Sequence, residues 1–240
     1  MKKHLLLLIF SFALVRAEAQ DSLSRWSIGF AAGPSYPTGR FASKNYNSVN
    51  SGYANNGFSW EANVKYAVNR SWALAVAVGR QENKYDIFIP VPPSSYVLSS
   101  AQHQNWKMTR LLAGGVYTQP LFKRERLFLQ VRLLAGALKT DFPGYDYEMV
   151  GAGQLPFYEN HYPTISMPWA FCYQADAGLQ WKLSKGIKGV SVAVNAGYSE
   201  AEPKYSTVDP SFMAAGARPM KTRFVPLASF HLRAGVEVRL

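Results

Sequence analysis

Three acids and four bases in this chain sit where they can act on one another. Glu61, Asp176 and Glu237 supply the carboxylates, and Lys65, Arg132, His231 and Arg233 the cationic or basic groups. Each lies in a run that alternates apolar with polar residues, so each is placed on the polar face of an extended segment. Acids and bases gathered on such faces either pair as a structural clamp, or gate a passage or carry protons. Buried charges persist mainly when paired and hydrogen-bonded, which favours the clamp. A second set of groups lies in polar stretches. His103 and His161 neighbour Ser99, Ser100, Glu159 and Asn160, the residue types of a nucleophile, base and acid arrangement for acyl transfer. Polar stretches bring such neighbours together by composition alone. The single Cys172 excludes an internal disulfide and has no evident base beside it, so it reads as a small filler. The chain carries neither a zinc-ligand spacing nor a Gly-rich phosphate loop, so no metal and no cofactor is expected.

The elements that position these groups follow from the same alternation. It is clearest over 58–66, where Phe58, Trp60, Ala62, Val64 and Tyr66 alternate with Ser59, Glu61, Asn63 and Lys65. That is the period of a strand. Seven further segments repeat it: 26–34, 72–81, 106–118, 127–140, 169–183, 190–199 and 224–240. Their connections alternate in length. Short turns at 68–71, 120–125 and 184–189 are interleaved with long loops at 36–57, 82–105, 141–168 and 200–222. A soluble sandwich has no reason to gather its long loops at one end, whereas an outer-membrane barrel has short inner turns and long outer loops by construction. The expectation is an eight-stranded antiparallel transmembrane β-barrel with both chain ends on the periplasmic side.

The two faces of the strands agree with it. One set is apolar: Trp26, Ile28, Phe30; Leu74, Val76, Val78; Leu129, Val131, Leu133; Val192, Val194; Leu232, Val236, Val238. The other mixes small with charged residues, which suits a narrow polar lumen and not a dry core. Glu61, Arg132, Asp176 and Arg233 count to a similar height, with His231 just above and Lys65 and Glu237 nearer the base. The expectation is a closed lumen in which the two acids pair with the two arginines. Aromatic residues near the strand ends would form interface girdles: Trp26, Tyr66, Trp72 and Trp181 at the turn end, and Phe58, Trp106, Trp169 and Tyr198 at the loop end. Arg110 is the exception. Counted in register with Trp106, Met108 and Leu112 it falls on the lipid face, where a bulge near 109–111 or snorkelling would have to relieve it.

Composition sets the compartment. Charged residues are 17% and hydrophobic residues 48% of the 240, which excludes a coiled coil and disorder. Lys2 and Lys3, a Leu-rich run and Ala17-Glu18-Ala19 have the layout of a secretory signal, giving a signal peptide at 1–19 and a barrel domain at 20–240. Removing that segment takes the formal net charge from +11 to +9. Arg25, Arg70, Lys123, Arg124, Arg126, Lys182, Lys185, Lys188 and Arg239 gather at the turn end, where inner-leaflet phosphates lie. No basic helix or aromatic RNA-binding motif accompanies them, so nucleic acid is not expected as a partner.

The opening Trp26-Ser-Ile-Gly-Phe-Ala-Ala-Gly-Pro34, the closing Phe230-His-Leu-Arg-Ala-Gly-Val-Glu-Val-Arg-Leu240 and the signal ending in Ala-Gln make the chain resemble the small outer-membrane β-barrel proteins of Bacteroidota, of the PorT type, and more distantly the eight-stranded OmpA and OmpX class. Such motifs identify an architecture and not an activity. Barrels of that class commonly end in an aromatic residue, whereas this chain ends in Leu240, so recognition by the outer-membrane assembly machinery would rest on the alternating last strand and Phe230. The resemblance implies residence in the outer membrane, in contact with its lipids and lipopolysaccharide. Tyrosine concentrates in the long loops, with Tyr46, Tyr53, Tyr85, Tyr145, Tyr147, Tyr158 and Tyr162 as candidates for recognising a surface ligand or protein partner. The apolar run at 87–93 should pack over the barrel mouth or touch a partner. The functional expectation is a non-enzymatic structural or surface-recognition protein. The alternative is a lipid A or phospholipid modifying enzyme.

Overall fold

The computed structural model describes residues 25–45, 51–86, 96–122, 126–151, 158–162, 164–183, 189–208 and 220–240. Its elements in chain order are β1 (Trp26–Thr38), α1 (Gly39–Ala42), β2 (Ala54–Ala67), β3 (Trp72–Tyr85), β4 (Tyr96–His103), β5 (Trp106–Pro120), β6 (Leu127–Phe142), β7 (Tyr145–Gly151), β8 (Tyr158–Tyr162), β9 (Ile165–Ser166), β10 (Ala170–Lys182), β11 (Val190–Ala201), β12 (Lys204–Val208), β13 (Met220–Phe224) and β14 (Leu227–Arg239). Eight of them close a barrel in the order β10, β11, β14, β1, β2, β3, β5, β6 and back to β10. Every pairing in it is antiparallel. Chain closure sets Ile28 beside Val238 and Val238 beside Val190. The signal segment lies outside the described residues.

Closure satisfies the backbone hydrogen bonds of the wall within the wall, which is what allows a sheet to stand in hydrocarbon. The outer surface is correspondingly apolar: Ile28, Phe30, Leu74, Val76, Leu133, Leu179, Val194, Leu232 and Val236 are exposed, while their neighbours Ala75, Ala77, Arg132, Asn195 and Arg233 are buried inside. At the turn end Trp26 packs on Tyr66 with ring centroids 4.9 Å apart, and Trp72 on Tyr117 at 5.0 Å. The Lys182 ammonium lies over the Phe128 ring, 4.2 Å from its centroid.

The strands outrun the apolar stretches that signal them. β1 continues to Thr38, β2 begins at Ala54 and β3 runs to Tyr85, because a ladder outside hydrocarbon no longer needs an apolar outer face. The long connections also contain strands. β4, β7 and β8 form a separate three-stranded sheet, and β12 and β13 a hairpin. Their polar composition hides the period that would announce them. Conversely β14 begins at Leu227, and Phe224 belongs to β13.

One strand is turned relative to the sequence reading. Trp106, Met108, Arg110, Leu112 and Val116 of β5 all point inward and are buried, while Lys107, Thr109 and Leu111 point outward. Arg110 therefore needs neither bulge nor snorkelling, and Trp106 belongs to no girdle. The reason is in the pairing: Lys107 sits opposite Glu82 and Thr109 opposite Arg80, and Arg80 and Glu82 are outward residues that pair at 2.8 Å. At this height the outside is polar, so the apolar residues of β5 take the inside.

Candidate functional site

The polar alternation of β2, β6, β10 and β14 delivers five titratable groups to one level of the lumen. Arg132 on β6 donates from Nη1 to Glu61 Oε1 at 2.6 Å, and from Nε and Nη2 to Asp176 Oδ2 at 3.1 and 2.8 Å. Arg233 on β14 donates to Glu61 Oε2 at 2.7 Å and to Asp176 Oδ1 at 3.1 Å. Glu61 on β2 and Asp176 on β10 stand four strands apart round an eight-stranded wall. The two arginines thus bridge opposite sides of the barrel. Gln174 adds donors at 2.9 Å to both acids. Arg132 to Asp176 is also a direct cross-strand pair in the ladder.

His231 Nε2 lies 2.6 Å from Asp176 Oδ1 and 2.7 Å from Arg233 Nη2. One ring nitrogen cannot donate to the carboxylate and accept from the guanidinium at once. Donation to Asp176 is the consistent assignment, because it sets a hydrogen against an anion, and the arginine approach is then a contact only. Gly197 makes the space. A methyl group there would overlap both Asp176 Oδ1 and His231 Nε2.

Below this level Lys65 donates to Glu237 at 2.6 Å, and Ser27 donates to the other oxygen of Glu237 at 2.9 Å. Between the two levels lies a cavity of ≈ 20 Å³, about the room of one water. Above them is Arg110, which the sequence reading does not place in the lumen. It donates to Ser199 at 2.7 Å, and its Nη2 meets no partner among the described residues. Lys65, Arg110, Arg132 and Arg233 face Glu61, Asp176 and Glu237, so one positive charge is left over. The direct acid partners are all taken, which leaves the surplus on Arg110.

The outer third of the lumen carries an aromatic cluster beside a buried polar group in which Gln81 donates to Asn83 at 2.7 Å and Asn83 donates to Ser35 at 3.0 Å. Trp106, Phe41, Met167, Tyr85, Val225 and Leu227 are buried, with Phe41 5.5 Å and Phe142 5.2 Å from Trp106 between ring centroids in edge-to-face arrangements. Phe41 is carried in by α1. The returning chain holds it there: Gly52 N donates to Arg40 O at 2.9 Å, Tyr53 N to Ser43 O at 3.0 Å, and Trp106 Nε1 to Gly52 O at 2.8 Å. Gly52 has no alternative, since a Cβ there would enter the Phe41 backbone and ring. Outside, Lys44 pairs with Asp86 at 2.6 Å and Asn55 donates to the same carboxylate at 3.0 Å. These two hydrogen bonds hold the Asp86 carboxyl below its ordinary range.

The loop tyrosines divide. Tyr85 is buried in the aromatic cluster and cannot serve as a displayed recognition residue. Tyr53 packs edge-on against it at 6.3 Å, and Tyr145 packs on Tyr85 at 6.4 Å and stacks on Tyr147 at 6.3 Å. Aromaticity that reads as a recognition surface is, in these positions, engaged in ring packing at the mouth. Tyr158 and Tyr162 lie on β8, with only their backbone described, and Tyr46 and the 87–93 run lie outside the described residues. His103 on β4 and His161 on β8 are separated by β7, which pairs with both. Cys172 points inward and is buried.

No family model matches the chain, and no curated protein matches it. Among solved structures it is similar to Neisserial surface protein A, with a TM-score of 0.52 and 12% identity over 92% of this chain and 100% of that one. It is similar also to the outer membrane protein OprG from Pseudomonas aeruginosa, with a TM-score of 0.51 and 10% identity over 91% and 98%. At such identities the likeness is one of fold: the chain has the closed eight-stranded antiparallel barrel of outer-membrane proteins.

Proposed function

We propose that the protein is an outer-membrane barrel with a structural or surface-recognition role, exported by a signal at 1–19 and closed to ordinary solutes. The observation that carries this is the double seal of the lumen, ionic at mid-height and aromatic at the mouth. Lipids and lipopolysaccharide contact the apolar wall, and the assembly machinery reads its final strand, β14. The Bacteroidota kinship proposed for it rests on the signal ending in Ala-Gln and on the opening and closing strands. Recognition falls to what rises beyond the seal, the sheet of β4, β7 and β8 and the hairpin of β12 and β13. These elements leave the barrel wall, so they can present side chains without opening the lumen.

Two measurements test the two halves of this reading. Liposomes carrying the protein should swell in isosmotic small sugars no faster than empty liposomes; rapid swelling contradicts closure. Surface capture by cells displaying the intact protein should fall when the β4–β7–β8 sheet is trimmed, with the barrel still heat-modifiable on gels. Capture unchanged by trimming contradicts recognition through that sheet.

A further inference from the structure

Outside the barrel, where β10 and β11 reach the outer end, a groove of ≈ 480 Å³ is lined by Trp169, Phe171, Tyr173, Glu200, Glu202 and Lys204. Trp169 and Phe171 are among the most exposed aromatic side chains of the wall, at 60% and 69%. A carboxylate stands among them. Glu200 faces outward on β11 directly across the ladder from Tyr173. Tyr173 and Tyr198 both donate their hydroxyls to its Oε2, the latter at 3.0 Å. Among the described residues none donates to Oε1, and Lys204 is not in an ion pair with Glu200.

The depth of that carboxylate makes it unusual. Tyr173 is eight residues above Trp181 on β10; at ~3.3 Å per residue and ~40° tilt it stands roughly 20 Å above the inner girdle. That places Glu200 just beneath the outer edge of the apolar band. A charge facing lipid there is costly unless a cation meets it. The protein offers two neutral donors and leaves one carboxylate oxygen open towards the groove. Glu202 follows the end of β11 and Lys204 opens β12, and both are exposed, so the groove presents acid, acid and base above an aromatic floor.

We propose that this groove binds one lipid bearing a phosphoethanolamine headgroup, with its primary ammonium on Glu200 and Glu202, its phosphate on Lys204 and its upper chain against Trp169, Phe171 and Tyr173. A primary ammonium carries three N–H donors and a charge. A choline headgroup has the charge without the donors, and a glycerol headgroup has donors without the charge. The proposal rests on the membrane placement argued above, and the test separates the two.

The full-length protein is reconstituted in vesicles of equal parts phosphatidylethanolamine, phosphatidylcholine and phosphatidylglycerol, and the lipid retained on release is counted by native mass spectrometry. One phosphatidylethanolamine should be retained about fivefold over either competitor, the factor one added hydrogen bond supplies. In Glu200→Gln the preference should fall to parity while the protein remains heat-modifiable. Phe171→Ala should lower retention of all three lipids. Equal retention of the three by the unmodified protein, or a preference that survives Glu200→Gln, overturns the site and leaves the barrel standing. Preferential retention of lipid A from a mixture with phosphatidylethanolamine overturns the choice of headgroup. Failure to enter vesicles at all overturns the membrane placement itself.

Discussion

The middle and the mouth of this barrel solve opposite problems with the same strands. At mid-height the wall is apolar outside and charged inside, and Glu61, Arg132, Asp176 and Arg233 cross the lumen as a ring of ion pairs. At the mouth Arg80, Glu82 and Lys107 face outward, and Trp106, Tyr85 and Phe41 share the interior with the neutral, hydrogen-bonded Gln81, Asn83 and Ser35. Charge lies inside where the outer face is apolar, and outside where the outer face is polar. Where lipid surrounds the wall, apolar side chains are drawn outward and charges are left to pair within; where water surrounds it, charges stand outside and large aromatic side chains enter the interior beside neutral polar ones. β5 crosses the boundary and carries Arg110 just where the two regimes meet.

The comparison can be broken at its ionic half first. Asp176→Ala leaves Arg132, Arg233 and His231 around an empty site, and an unmatched buried charge of this kind costs about 3 to 5 kcal/mol. Denaturant unfolding in a fixed lipid system measures it. A loss below about 1 kcal/mol would mean that water already screens the ring. At the aromatic half, Trp106→Ala should cost about 3 kcal/mol or more by the same measurement, because its indole is buried and hydrogen-bonded to Gly52 O. Solute entry should remain blocked in that variant, since the ionic ring lies beneath.

A substitution at their shared edge sharpens the contrast. Gly197→Ala inserts a methyl group against Asp176 and His231 and should cost about 1 to 3 kcal/mol, the usual range for overpacking. A neutral result would show that the ring has room to shift. Arg110→Met runs the other way. Removing the surplus cation from the buried interior, where Ser199 is its one hydrogen-bond acceptor among the described residues, should leave stability unchanged or raise it by about 1 kcal/mol, whereas Arg132→Met should lower it; equal losses would mean that Arg110 has an anionic partner. The smallest effect belongs to the clip over the mouth. Asp86→Asn should cost less than about 1 kcal/mol, as exposed pairs do. Because the Asp86 carboxyl is held below its ordinary range, the pair's contribution is present above that range and is lost as pH falls through the lowered value. The protection of the Gly52 and Tyr53 amides, taken relative to their intrinsic exchange rates at each pH, should therefore fall on acidification in the unmodified protein and not in Asp86→Asn.

Much of the ionic half is legible in the sequence. Charged residues at every second position of a strand whose other face is apolar admit only one side, and Glu61 between Trp60 and Ala62 is read without ambiguity. The mouth is less so. Both faces of β5 carry apolar residues, so alternation alone leaves its register open, and the choice is made by the outward Arg80 and Glu82 on a neighbouring strand. Tyr85 and Tyr145 look like loop residues because the strands that carry them are polar on the other face. Arg110 is misplaced for the same reason. The partners that decide each of these positions are distant in sequence and adjacent only across the ladder.

The double seal is tested most directly by planar-bilayer recording of the unmodified protein beside Trp106→Ala and the Trp106→Ala, Asp176→Ala double variant. The account predicts no stable solute-sized conductance in the first two and its appearance only in the third. Large stable openings in the unmodified protein would contradict it.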